Sequence, residues 1–242
     1  MQPPTAAVRQ DLDANHGHGI EVGLAQTRRR VVKAQAETAG VELTCLATSL
    51  AYADPDQTDA MVARTRERID LAGDLDVKAI RVFGGKIPEG MDRERATDLL
   101  VDSLSSVADH AEDRGVTLCM ETHDDWCDPA HVATVVTRVD RPAVTITWDV
   151  MHSVRTGVAT IDESFEAIKP WIRHVHIHDG IGSGVAFVPI GTGEIDHQRA
   201  LELLSSIGFS GYLSGEWIDW EAPESHLPRE LATMKRYEQE LS

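Results

Sequence analysis

The chain has 242 residues, with 40 acidic against 23 basic side chains and a formal net charge of −17. A surface this acidic repels phosphate backbones and anionic membranes, so neither nucleic acid nor a membrane is an expected partner. The hydrophobic share of 42% is that of a soluble globular protein. The length suits one α/β barrel, and no Pro/Gly/Ser-rich linker divides the chain, so one domain over 1–242 is expected. Cys45, Cys119 and Cys127 are the three cysteines, an odd and sparse set that gives no disulfide framework. The first ten residues do not read as a signal peptide, and no run of about 18 apolar residues occurs. A cytoplasmic location is expected.

Apolar β-type runs alternate with helical patterns along the chain. The first run is GIEVG at 19–23, and 6–14 reads as a preceding helix. Thr27 is placed to cap a helix over 28–39 that Gly40 closes. Strands are expected at 41–48, 78–83, 116–121, 144–149, 172–178 and 212–217. Helices are expected at 56–75, 92–114, 129–139, 162–168, 196–207 and 227–241. In the longest of these, Leu100, Leu104, Val107 and Ala111 recur at helical spacing before Gly115. Strand–helix alternation at this spacing means parallel strands with crossover helices. The expected fold is a (β/α)8-type barrel with seven countable strands, the first of eight missing or truncated. An open barrel exposes two strand edges that the N-terminal segment or a partner chain must cover, so a homodimer is expected.

The C-terminal ends of parallel barrel strands form one rim. Four successive apolar runs end there in acids or imidazoles: VTLCM in Glu121, TITW in Asp149, IRHVHIH in three histidines, and YLSG in Glu216. Carboxylates so close repel each other unless a cation lies between them. Two glutamates, one aspartate and one histidine suit Mn²⁺, Mg²⁺, Co²⁺ or Zn²⁺ better than a thiolate zinc site. Asp149 reads also as a cap for the segment after it. His174, His176 and His178 share one strand face at roughly 7 Å spacing, so one ion does not take all three. His174 lies deepest and reads as a satisfied core histidine; which of the three binds metal stays open from the residues alone.

The segments GIEVG, RVFGG, LCMETHDDW, TWDVMHS, HVHIHDG, PIGTGEIDH and GYLSGEW, in this order from 19 to 220, resemble the xylose-isomerase-like barrel superfamily of sugar isomerases, epimerases and apurinic endonucleases. The resemblance implies one divalent ion, manganese first, held by Glu121, Asp149, His176 and Glu216. It implies that His152, in the D-x-x-H segment, contacts substrate. His178 stands where many members have lysine; it contacts substrate or a second metal. Trp126 and Trp217 read equally as walls of a sugar pocket or as structural residues, and Arg155, Lys86 and Arg81 are candidate anion contacts. His123, Asp124 and Asp125 read equally as a solvated loop. His110, His131, His197 and His226 read as surface residues.

The expected activity is a metal-dependent sugar or hydroxy-ketone isomerase or epimerase. The metal chelates two adjacent substrate oxygens and stabilises an enediolate, while Glu121 and Glu216 exchange the proton. A keto-polyol dehydratase on the same site is a close variant. A non-catalytic barrel serving as a binding or assembly subunit is another reading. An apurinic endonuclease-like phosphodiesterase is opposed by the acidic charge. It is opposed also by the second and third strand ends, Thr48-Ser49 and Gly84-Gly85, which carry no histidine.

Overall fold

The computed structural model describes residues 20–182 and 186–241 in full, and residues 5–10 as backbone. Seven parallel strands form one sheet: β1 (Thr5–Gln10), β2 (Glu42–Ala51), β3 (Ala79–Phe83), β4 (Thr117–Glu121), β5 (Val144–Asp149), β6 (Ile172–Ile177) and β9 (Tyr212–Gly215). They pair in that order. A two-residue ribbon, β7 (Asp179–Gly180) with β8 (Phe187–Val188), lies between β6 and β9 in sequence. Helices α1 (Gln26–Ala39), α2 (Thr58–Leu75), α3 (Arg93–Asp113), α4 (Pro129–Val139), α6 (Ile161–Ile168), α7 (His197–Ser206) and α8 (Pro223–Glu240) follow the strands. A single turn, α5 (His152–Arg155), follows β5 directly.

The fold is an α/β barrel one strand short of eight among the described residues. Two expectations at its start are corrected. A strand forms at Thr5–Gln10, overlapping the stretch read as a helix over 6–14, and it pairs in parallel with β2. The rest of that stretch lies outside the described residues. In GIEVG, residues 20–23 form no strand. The Arg29 guanidinium takes the carbonyls of Val22 and Leu24, which a sheet ladder would need, and Glu21 accepts a turn bond from Leu24 N–H. Ile20 is buried and plugs the core instead.

Strand periodicity then sorts the chemistry. Side chains alternate across a sheet, and both faces of this one are covered. Ile80, Val82, Leu118, Met120, Ile146, Trp148 and Val175 belong to the main core, with Leu100, Leu104 and Val107 of α3 and Val132 and Val136 of α4. Their strand neighbours take the other face. Register pairs Arg81 with Cys119, Glu121 with Thr147, Thr147 with His174, and Asp149 with His176. The barrel interior is therefore small and polar, and its uppermost row is acidic. At the opposite end Tyr212 donates its phenolic hydrogen to Glu42, linking the start of β9 to the start of β2.

Helix ends explain how the strands are delivered to this rim. Asp92 and Asp128 cap α3 and α4, and Thr160 with Glu163 forms a capping box for α6. Gly40 closes α1 in the left-handed conformation, as the sequence pattern demands.

Candidate functional site

Glu121, Asp149, His176 and Glu216 meet at the C-terminal rim. One ligand atom from each lies within 4.8 Å of the others. His176 Nδ1 is 2.8 Å from Glu121 Oε1 and 3.1 Å from Glu216 Oε2, so one imidazole faces both carboxylates. Asp149 divides its oxygens. Oδ1 accepts the backbone N–H groups of Met151 and His152, while Oδ2 sits 2.8 Å from His178 Nε2. The capping and cluster-facing readings of Asp149 are both realised, one per oxygen. Thr122 staples the strands beneath: its hydroxyl donates to Asp149 O and accepts from Asp149 N–H.

Arg81 is the residue whose role the sequence hid. It is 2% exposed, on β3, with Nη1 3.2 Å from Glu121 Oε2 and Nη2 3.7 Å from Glu216 Oε1. Its guanidinium also lies 4.0 Å from the Phe83 ring centre. The expectation that Arg81 is an anion contact is corrected, because its charge is spent on the two glutamates. The contact to Glu121 is ionic without hydrogen-bond alignment: Glu121 Oε2 and Arg81 Nη1 are both buried without a hydrogen-bond partner.

The electrostatics follow from this crowding. Burial pushes the Glu121 carboxyl up, but His176 and Arg81 outweigh it and hold it below its ordinary value. Burial is likewise overcome at Glu216, where His176 and Arg81 bring it to about 2. Asp149 is held low against burial by His152 and His178. His176 is raised to about 10, its burial overcome by Glu121 and Glu216. His174 is lowered to about 3 by burial, then by His176 and Arg81, and lies deeper, on the Ser214 hydroxyl.

The other expected site residues fall into two groups. His152 and His178 join the cluster, with His178 Nδ1 donating to Glu216 O. His123 packs edge-on against His152 at 4.2 Å between ring centres and pairs with Asp124. Trp217 stacks on Trp220, and its ring lies over Gly215, where a Cβ would come within 2.0 Å of it. Of the two readings of Trp126 the structural one holds and the pocket one is corrected: it is fully buried, donates Nε1–H to Gly85 O, and fills the space that a Gly84 side chain would need. It walls no pocket. Arg155 turns to His152. Lys86 is exposed. His197 and His226 are buried, against the surface expectation. His197 sits between the carbonyls of Ile195 and His178, and His226 against Trp217 and Trp220.

Asp179 is a further residue whose work the sequence did not reveal. Its buried carboxylate accepts from the N–H groups of Gly180, Gly191, Gly193 and Ile195, and so shapes the GTGEI loop. Gly193 is required there, since a Cβ would lie 2.2 Å from Asp179 Oδ1.

This donor set fits a divalent cation. Three carboxylates and an imidazole converge, and one buried carboxylate oxygen has no hydrogen-bond partner. The sequence model of the family described as Xylose isomerase-like TIM barrel matches residues 8–237. The chain belongs to this family. An uncharacterised protein of Methanocaldococcus jannaschii is 30% identical over 159 residues, 62% of this chain and 54% of that protein, so the match spans about half of the relative's length. A Xenopus laevis protein named "Putative hydroxypyruvate isomerase" is 23% identical over 195 residues, 76% of this chain and 68% of its own. Among solved structures, a xylose isomerase domain protein from Planctomyces limnophilus superposes with TM-score 0.81 at 20% identity, covering 98% of this chain and 88% of that one. A D-tagatose 3-epimerase-like protein gives 0.76 at 20%, covering 98% and 89%. A family member from Mycobacterium smegmatis in complex with magnesium gives 0.72 at 16%, covering 91% and 81%. At these identities the structures establish the shared barrel. No helix of the described residues is long and apolar enough to cross a membrane.

Proposed function

We propose that this single-barrel chain is a divalent-metal-dependent isomerase or epimerase of a sugar or related hydroxy-ketone. The observation that carries the reading is the approach of Glu121 and Glu216 to the one imidazole of His176, at 2.8 and 3.1 Å, beside Asp149. Glu121, Asp149, His176 and Glu216 are the residues that would hold the ion, with manganese first choice and magnesium, cobalt or zinc as alternatives. When bound, a divalent cation supplies Lewis-acid polarisation of adjacent carbonyl and hydroxyl oxygens and so acidifies the neighbouring C–H.

The chain's own residues do the rest. One glutamate accepts the proton from carbon, and the other returns a proton to the opposite face or to the neighbouring carbon. Carboxylates held this low are weak bases, which suits a C–H already acidified. Arg81 fixes both carboxylates from beneath, so the two oxygens keep their separation as charge shifts between them. His152 and His178 line the approach, with Trp217 beyond them.

The test is deuterium incorporation from heavy water into a panel of ketoses and hydroxypyruvate, using metal-loaded protein. Incorporation at the carbon next to the carbonyl is expected, and Glu121→Gln and Glu216→Gln should each abolish it. Absence of exchange and of any epimer across the panel would overturn the proposal. Release of water in place of exchange would move the assignment to a dehydratase.

A further inference from the structure

Helix α1 is held loosely on the barrel. None of its residues is buried, and its N-cap, Ala25, gives no side-chain bond. Val32 is partly buried against the core. On the same side Arg29 and Lys33 pair with Asp74 and Asp76. The opposite side carries a second stripe: Val31, Ala34, Gln35, Thr38 and Ala39 recur at the spacing of one helix face and line one shallow depression. All five are exposed, Val31 at 43%, and none is charged. Thr38 donates its hydroxyl to Ala34 O at 2.7 Å, so that group is satisfied within the helix.

The charges around this stripe run against the helix. A helix is partly positive at its N-terminus and partly negative at its C-terminus. Residues 26–39 hold four basic side chains, Arg28, Arg29, Arg30 and Lys33, and one acid, Glu37. No acid stands in the first turn and no base in the last, where Glu37 lies instead. Arg28, Arg30 and Glu37 are exposed and make no ion pair among the described residues.

An antiparallel copy of the same helix corrects each fault. It sets the N-terminal end of one helix beside the C-terminal end of the other. Arg30 and Glu37 are seven residues apart, close to two turns, and so share one flank of the stripe. With a two-fold axis passing near Ala34, Arg30 meets Glu37 of the partner subunit, and the pair is formed twice. Arg28, on the other flank, approaches the C-terminal end of the partner's helix. Ala34, Thr38 and Ala39 are small enough for close packing of two helices. A parallel copy would leave both ends with charges of the wrong sign.

We infer that the outer face of α1 is the docking surface for a second copy of this chain, packed antiparallel about a two-fold axis near Ala34. The helix has 14 residues and spans about 21 Å. A contact of that length is small, so association is reversible and in the micromolar range. It lies on the helical layer and leaves the open strand edges out of the interface. It is independent of the reaction assigned to the rim.

The experiment is sedimentation velocity of the full chain over a dilution series from submicromolar to submillimolar. The mass should rise from that of one chain to that of two. Ala34→Arg should keep the wild-type circular dichroism, because the site is exposed, and remain monomeric throughout. Arg30→Glu and Glu37→Arg should each weaken association about tenfold, since each change is felt twice across the axis. Arg30→Glu combined with Glu37→Arg should restore it. The three native cysteines are buried, so mild oxidation of Ala34→Cys should give a covalent dimer, and oxidation of Val158→Cys, equally exposed, should not. A wild type that stays monomeric overturns the inference. So does a dimer that survives Ala34→Arg, which would place the contact elsewhere, such as the strand edges. Failure of the charge-exchanged double variant to recover overturns the antiparallel arrangement.

Discussion

Arg81 offers the sharpest quantitative test of how the site is held together. Arg81→Met keeps an unbranched apolar stem and removes the charged guanidinium. The guanidinium is 2% exposed, and Glu121 beside it is fully buried, so solvent screens the pair little. Removing one partner of a buried ion pair costs about 3–5 kcal/mol, because the other charge is left uncompensated. His176 still faces both glutamates, which puts the expected loss near the lower bound, about 3 kcal/mol. For a chain of this size that is a fall in Tm of roughly 6–12 °C. A divalent ion seated among the same carboxylates replaces the lost charge, so in saturating Mg²⁺ the loss should shrink to about 1 kcal/mol. The assay is thermal and urea unfolding of wild type and variant, in chelator and in Mg²⁺. Equal stability of the two proteins in chelator refutes the role given to Arg81. An equal loss with and without Mg²⁺ refutes the claim that ion and guanidinium serve the same carboxylates.

Three more outcomes follow from the geometry. His176 is raised to about 10 against an unfolded value of about 6.5. In metal-free protein its contribution to stability is therefore complete below pH ~6.5 and lost as pH rises through about 10. A metal needs that nitrogen unprotonated, so Mg²⁺ binding at neutral pH should release close to one proton per chain and tighten with pH; calorimetry in buffers of different ionisation enthalpy reads this, and zero release contradicts it. Asp179→Asn should cost about 2–4 kcal/mol in urea unfolding, since four backbone N–H groups lose a charged acceptor. Gly215→Ala should displace Trp217 and destabilise by about 1–3 kcal/mol, visible as a shifted tryptophan emission.

Much of this site was legible because the strands announce it. A run such as VTLCM that stops at Glu121 puts a charge where apolar periodicity ends, and parallel topology carries four such stops to one rim. What stayed hidden depends on partners far apart in sequence. Arg81 lies mid-strand in KAIRVF, and nothing nearby says that its charge is met 40 residues later by Glu121. Asp179 follows the histidine strand and reads as part of the cluster, yet its oxygens point to the glycine loop. Trp126 sits among polar loop residues, and the space that takes it is left by Gly84, just past the end of β3. His197 and His226 looked superficial because backbone carbonyls and tryptophan faces, their actual neighbours, leave no local pattern. The first strand failed for a related reason: Thr5–Gln10 (TAAVRQ) holds a single β-branched aliphatic residue, and GIEVG nearby is the better β-type sequence until Arg29 claims its carbonyls.

The order of the sheet has a consequence for how the four acidic and imidazole side chains come apart. Glu121, Asp149 and His176 stand on strands flanked on both sides. Glu216 follows β9, which has one neighbour, β6, among the described residues. The helix after it, α8, buries only His226 and Glu230. Segments with few buried contacts open first and independently of the rest. Peeling of β9 and α8 would therefore remove Glu216 while three donors stay in place. The same chain segment that completes the cluster is then its door: an ion enters or leaves as the C-terminal unit undocks, and a bound ion slows that undocking. Hydrogen exchange over 212–240 becomes a direct gauge of occupancy at the site.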